Sequence, residues 1–297
     1  MNNRAKTSSR YLSRILRSLP FKVSSWKLMH RGAWHDVYLL KTDNRGELLM
    51  KIPKKAFETW NKKLKVENRI LKRLASQPKC FAPHTVYADF SKKTVPFSFQ
   101  ILEFIHGKNI KLVPADLCDL AIQMRSLHKN AFIQWGGFPP RKNRFTFDEY
   151  LVYRFSAQVN RLPKGAQKRL SPIFKHIQSV LRYYQCRQNF CITHGDVNTR
   201  NILRTKEGDL KFIDWEAADI CPPPRDLVDF FVIERFSKER RISFLKIYGD
   251  SSKQMKNEIY VFEKLAIFAE FLDDLEMGKD VMSALQKKIL TPLLSNQ

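Results

Sequence analysis

Two short segments constrain this chain most: His194-Gly195-Asp196-Val197-Asn198-Thr199-Arg200-Asn201 and Ile213-Asp214-Trp215-Glu216. Asn201 to Thr205 and Leu210 to Asp214 are apolar-rich runs, and Lys206-Glu207-Gly208-Asp209 between them is a turn signal containing Gly. The pattern predicts a β-hairpin. Pairing Thr205 with Leu210 and continuing the register sets Asn201 directly opposite Asp214. Opposed residues on one face of a sheet lie about 4.5–5.5 Å apart, close enough to share a divalent cation. Asp196 precedes Asn201 in the loop that enters the hairpin, so it can face the same spot. An Asp, an Asn and a second Asp brought together are the parts that phosphoryl transfer uses. Taken singly, each fragment is no more than a polar turn or a strand end; the combined spacing carries the expectation.

A second set of residues points the same way. Leu64, Ile70, Leu71 and Leu74 share one face of a helix expected over 61–75, and Glu67 falls on that apolar face. A carboxylate there needs a partner, because an unpaired buried charge is costly. Lys51, at the end of the expected strand 48–52, is the natural candidate among many lysines. A strand lysine that contacts nucleotide phosphates and is oriented by a helix glutamate is a kinase arrangement.

With these motifs in hand, the chain resembles the aminoglycoside phosphotransferase and choline kinase-like family, small-molecule kinases built on the protein-kinase fold. The resemblance rests on the HGDxxxxN loop at 194–201, the IDWE segment at 213–216, Met50-Lys51-Ile52 and Val66-Glu67-Asn68. It implies that Asp196 is the catalytic base and that Asn201 and Asp214 hold Mg²⁺. It implies that Lys51 and Glu67 serve the phosphates of ATP, that His194 is structural, and that Asp226 or Asp229 is a structural aspartate. By position, the loop around Gly32 covers the nucleotide, although it has one glycine where protein kinases use several. Gln100 to Gly107 reads as the strand and hinge that meet adenine, with Glu103 and Ile105 in it. Asp226 also suits the N-cap of a helix opening near Arg225.

The implied fold class is α+β: a two-lobed protein-kinase-like fold with a small antiparallel β-sheet lobe and a larger, mainly helical lobe, the active site lying in the cleft. The expected divisions are a basic amphipathic helix at 1–20, a nucleotide-binding N-lobe at 21–106 and a helical C-lobe at 107–297. The C-lobe would contain the catalytic loop, the metal-binding hairpin and the acceptor site. Trp135-Gly136-Gly137 is a candidate acceptor-side loop. Asp273, Asp274 and Glu276, with Asp280, form an acidic cluster that reads first as a solvated helix end.

Charge sets the remaining alternatives. The 297 residues include 53 basic against 29 acidic side chains, a net charge of +24, which a nucleotide site alone does not need. Such a balance attracts nucleic acid, anionic lipid or phosphorylated ligands. Eight Lys or Arg lie between Met1 and Arg31, and Tyr11, Leu12, Ile15, Leu16 and Leu19 recur there with helical spacing. Such a helix can lie on an anionic membrane or be strapped across the small lobe, and one short stripe favours the strap. The five cysteines are odd in number and form no CxxC pair, and no signal core or membrane-length apolar run occurs. These features point to a cytoplasmic protein, peripheral to the inner membrane face if the basic helix is free.

Three functions follow. The first is an ATP- and Mg²⁺-dependent phosphotransferase acting on a hydroxyl of a small molecule: an amino alcohol, aminoglycoside or sugar. The second is the same chemistry on a lipid-linked or surface-glycan sugar at a membrane. The third is a non-catalytic kinase-like module that binds an anionic polymer; the intact Lys51, Glu67, Asp196, Asn201 and Asp214 set and the lack of a nucleic-acid-reading motif weigh against it. No specific nucleic acid partner is expected, and oligomeric state is not legible.

Overall fold

The computed structural model describes residues 6–31, 35–54, 57–77, 80–129, 131–138, 145–183 and 189–276. In order come α1 (Lys6–Ser18), β1 (Val23–Arg31), β2 (His35–Thr42), β3 (Gly46–Pro53), α2 (Phe57–Ala75), β4 (Thr85–Asp89), β5 (Phe99–Glu103) and β6 (Gly107–Asn109). Next are α3 (Pro114–His128), β7 (Ala131–Phe132), α4 (Phe147–Arg161), α5 (Lys164–Tyr183), β8 (Phe190–Thr193), β9 (Ile202–Thr205) and β10 (Leu210–Phe212). The last are β11 (Asp219–Cys221), α6 (Pro224–Ile233), α7 (Lys238–Tyr248) and α8 (Lys253–Glu276). This is a small antiparallel-sheet lobe with a larger helical lobe.

The chain divides into two compact units, 1–113 with 199–218, and 114–198 with 219–297. The hairpin therefore groups with the β-rich unit, where the sequence reading had it in 107–297. The reason is pairing. β9 lies between β10 and β6, Phe212 N–H donates to Phe81 O (2.7 Å), and Lys211 Nζ donates to Cys80 O (2.8 Å).

In the first unit, five antiparallel strands run in the order β1-β2-β3-β5-β4. Their core-facing residues, among them Tyr38, Leu40, Leu48, Met50, Ile52, Phe99 and Ile101, pack with Trp60 and Leu64 of α2. Leu12 and Ile15 of α1 join the same cluster, with Tyr11, Leu16 and Leu19 packed against it. The basic helix is thus a strap, with its apolar stripe committed to the lobe's own core. No helix among the described residues is long and apolar enough to cross a membrane.

The second unit is held by helices around the three-stranded sheet β11-β8-β7. Threonine and serine caps fix two of them: Thr146 and Glu149 form a capping box at α4, and Ser237 Oγ accepts from Arg240 N–H at α7. Phe155 and Phe174 both meet Phe268 of α8, and Phe147 stacks with Phe262.

Candidate active site

The hairpin exists, but its register differs by one residue from the one expected. Leu210 pairs with Arg204, Lys211 with Leu203 and Phe212 with Ile202. The turn causes the shift. Thr205 N–H donates to Asp209 O (2.9 Å) and Gly208 N–H to Thr205 O (3.1 Å), so three residues, not four, make the turn. Gly208 supplies the left-handed φ of +88° that this three-residue loop requires. In this register Asn201 falls opposite Ile213, so Asn201 and Asp214 are not a directly opposed pair. They remain at the same end: Ile213 N–H donates to Asn201 O (2.9 Å), Asn201 ends a 3-10 turn, and Asp214 follows Ile213. Asp214 has φ +65°, a left-handed backbone that costs a non-glycine residue about 1–2 kcal/mol. Strain of this kind collects at functional positions.

Lys51 lies at the centre of the first unit's polar cluster. Its ammonium is 3.7 Å from Glu67 Oε1 and in direct contact with Asp214 Oδ1. Lys51 and Glu67 are both buried. Burial opposes the lysine's charge, but Glu67, Asp214 and Glu216 outweigh it and hold its pKa above the ordinary value. The same burial pushes the Glu67 carboxyl up, against the pull of Lys51. The pairing expected from the helix pattern is present, with Asp214 as a further partner.

The structure adds two residues to this group. His35, buried at the start of β2 and tilted against Trp60 (ring centroids 5.5 Å apart), places Nδ1 3.2 Å from Glu216 Oε2. Burial raises the pKa of Glu216, but the hydrogen bond with His35 and the charge of Lys51 outweigh it, so the value is lowered. Ligand atoms of His35, Asp214 and Glu216 all lie within 4.8 Å of one another. Through its contact with His35, Glu216 ties the IDWE segment to β2. His35 carried no sequence signal beyond its place in the loop.

These residues fit a hard divalent cation. Carboxylate oxygens of Asp214 and Glu216 are the donors that Mg²⁺ takes, and Asp214 already faces a positive charge, the ammonium of Lys51. Of the expected nucleotide contacts, Gly32 lies outside the described residues. Glu103 closes β5, its N–H donating to His84 O (2.9 Å) while its carboxylate accepts from His84 N–H (3.1 Å). Ile105 follows it, buried, and lines a pocket with Phe104 and Gly107.

Residues 194–198 of the HGDxxxxN segment belong to the second unit. Asp196 accepts from Asn198 Nδ2 at 2.9 Å, a contact that orients its carboxylate and that sequence reasoning missed. Asp226 is not an N-cap. α6 begins at Pro224, with Pro223 at the cap, so Asp226 falls inside the first turn. Its wholly buried carboxylate instead accepts from His194 N–H and Gly195 N–H, both at 2.8 Å, and meets His128 Nε2 at 3.1 Å. His128 Nδ1 in turn lies 2.9 Å from Tyr248 Oη. Burial opposes ionisation of Asp226, yet these partners outweigh it and keep its pKa low. Gly195 has φ +77°, which explains a glycine in the HGD motif: the loop turns there so that two successive N–H groups reach one carboxylate. His128, at the end of α3, completes this clamp.

Gly195 also lines a pocket of about 280 Å³ in the same unit, with Trp135, Tyr150, Asp219, Arg225 and Asp229 among its walls. Trp135 and Gly136, from the candidate acceptor-side loop, both line it. Gly136 is fixed by paired backbone bonds to Ile220 (2.8 and 3.0 Å). The acidic cluster is elsewhere: Asp273 is exposed near the end of α8, and Asp280 lies outside the described residues.

The sequence profile of the phosphotransferase enzyme family matches residues 25–262, well over half the chain. The chain belongs to that family. No curated protein matches it. Among solved structures, this phosphotransferase-family chain is similar to choline kinase LicA from Streptococcus pneumoniae, with 16% identity, 95% of this chain and 96% of that one covered, and a TM-score of 0.65. It is similar to wild-type aminoglycoside 2'-phosphotransferase-IIIa, solved as a GDP complex, with 18% identity, coverage of 96% and 97%, and a TM-score of 0.66. Macrolide 2'-phosphotransferase MphH from Brachybacterium faecium matches at 12% identity, with coverage of 97% and 100% and a TM-score of 0.61. At such identities the likeness is one of fold, and it is the kinase-like fold expected.

Proposed function

We propose that this family member is an ATP- and Mg²⁺-dependent phosphotransferase acting on an alcohol group. The observation that carries the reading is the buried Lys51 held between Glu67 and Asp214. A buried ammonium with two carboxylate partners is an expensive arrangement for stability alone. It is the arrangement that presents a fixed positive charge to nucleotide phosphates.

In this reading Lys51 binds phosphate oxygens, and Glu67 keeps its ammonium charged and in place. Asp214, with Asn201 and Glu216, would hold the cation. When bound, Mg²⁺ supplies neutralising charge to the phosphate oxygens. Asp196 accepts the acceptor's hydroxyl proton while the hydroxyl oxygen bonds to the γ-phosphorus, and the bond to the β–γ bridging oxygen breaks with its electron pair leaving on ADP. Asn198 aims the Asp196 carboxylate, and Asp226 holds the loop that carries it. We place the protein in the cytoplasm, where ATP is available.

The two aspartates give the test. Asp196→Asn is expected to spare MgATP binding and lower turnover by about 10²–10⁴-fold, the usual range for a general base. Asp214→Ala is expected to weaken nucleotide binding as well as turnover. Calorimetry with a non-hydrolysable ATP analogue, beside single-turnover assays, separates them. Loss of nucleotide binding only in Asp196→Asn would reverse the roles, and unchanged activity in both would end the reading.

A further inference from the structure

The pocket of the second unit allows the acceptor to be narrowed, an inference that rests on the phosphotransferase reading above. Its volume, about 280 Å³, is close to the lower end for small-molecule sites, roughly 300 Å³, which suits a single ring. Gly195, the neighbour of Asp196, is part of its wall, so a molecule bound there lies beside the catalytic loop.

The lining is of two kinds. The rings of Trp135 and Tyr150 lie 4.4 Å apart at an interplanar angle of 36°, with Phe147 5.6 Å from Trp135. This aromatic group is apolar with polar tips, the type of surface that receives the C–H face of a sugar. The remaining charged lining is Asp219, Asp229, Arg154 and Arg225. Two guanidiniums therefore stand against two carboxyl groups. Burial raises the Asp229 carboxyl to about 7, with Arg225 opposing and the charges of Asp226 and Asp196 adding to the rise. Burial raises Asp219 too, against the pull of Arg225 and Arg154.

The balance of charge decides what this wall recognises. At neutral pH the four groups carry no surplus negative charge, so an ammonium group entering the pocket meets two guanidiniums for its two carboxyl groups. A hydroxyl is served well by the same groups, since guanidinium N–H donates, carboxylate accepts, and a protonated carboxyl does both. We propose that this pocket takes an uncharged, hydroxyl-rich ring, a single sugar or cyclic polyol, as the phosphoryl acceptor in preference to a cationic amino alcohol or aminoglycoside. One ring hydroxyl is phosphorylated: its oxygen bonds to the γ-phosphorus, its proton passes to Asp196, and ADP departs with the electrons of the broken P–O bond.

The test uses the full-length protein with MgATP at pH 7 and reads ADP release with matched acceptors. Neutral hexoses, pentoses and inositols are set against glucosamine, ethanolamine, choline and kanamycin. At least one neutral ring is expected to show kcat/KM ten-fold or more above every amine. Tyr150→Leu should raise KM for that ring about ten-fold while calorimetric binding of the ATP analogue is unchanged. Arg154 is exposed, so its replacement should spare the fold, and Arg154→Glu should lower the neutral-to-amine ratio by about ten-fold. A preferred amine would overturn the acceptor class and leave the phosphotransferase reading standing. ATP-analogue binding with no acceptor consumed from either group would also overturn it. Absence of ATP-analogue binding would remove the parent reading and this one with it.

Discussion

Lys51 shows how one residue can depend on the whole lobe. Its charge is kept inside the protein by Glu67 from α2 and Asp214 from beyond β10, two segments distant in sequence. Lys51→Met is expected to lower turnover by about 10²–10³-fold, the scale for removing a fixed electrostatic donor. The fold should persist, because Met packs in the lysine's place and burial pushes the Glu67 carboxyl up, so that it can take a proton once the ammonium is gone. Single-turnover rates and circular dichroism together check this. Asp229 makes a separate prediction about pH. Its carboxyl is raised from the ordinary 3.8 to about 7 by burial, so the folded state binds more protons than the unfolded state between those values. Stability from this group is therefore full below about pH 4 and is lost as pH rises to about 7. Asp229→Asn should flatten that part of the profile and raise Tm above pH 7 relative to wild type, as a thermal-denaturation series across pH would show.

At the scale of elements, the hairpin and the loop clamp teach different lessons. A β-hairpin between 201 and 214 was legible because two apolar runs flank a glycine-containing turn. Its register was not. Whether the turn has three residues or four depends on which backbone bonds close it, and Thr205 to Asp209 closes it at three. The clamp was hidden in another way: Asp226 at a helix start looks like a cap, and only folding brings the N–H groups of His194 and Gly195 onto its oxygens. Asp226→Ala would leave those two N–H groups and His128 without their buried acceptor. A loss of about 3–5 kcal/mol is expected, the range for breaking a buried charged pair, measured by urea denaturation with turnover falling in parallel.

For the molecule as a whole, the basic N-terminus contributes through its apolar face. Leu12 and Ile15 are as buried as the strand residues they meet. Leu12→Ala should destabilise the fold by about 2–5 kcal/mol, the range for a core leucine, and chemical denaturation would show it. A free surface helix would lose almost nothing. The sequence alone made the fold class legible, through the family resemblance that its HGDxxxxN and IDWE segments carry, and it paired Lys51 with Glu67, because a carboxylate on an apolar helix face needs a partner. The tertiary structure decided which partners those groups find: Asp214 on Lys51, Glu216 on His35, Asp226 on the backbone of His194 and Gly195, and a pocket lined by Trp135, Tyr150, Arg225 and Asp229. Spacing along a chain reports neighbours within an element. Charge compensation and cavity shape draw on residues from different elements, Lys51 and Asp214 being 163 positions apart, and only packing brings them together.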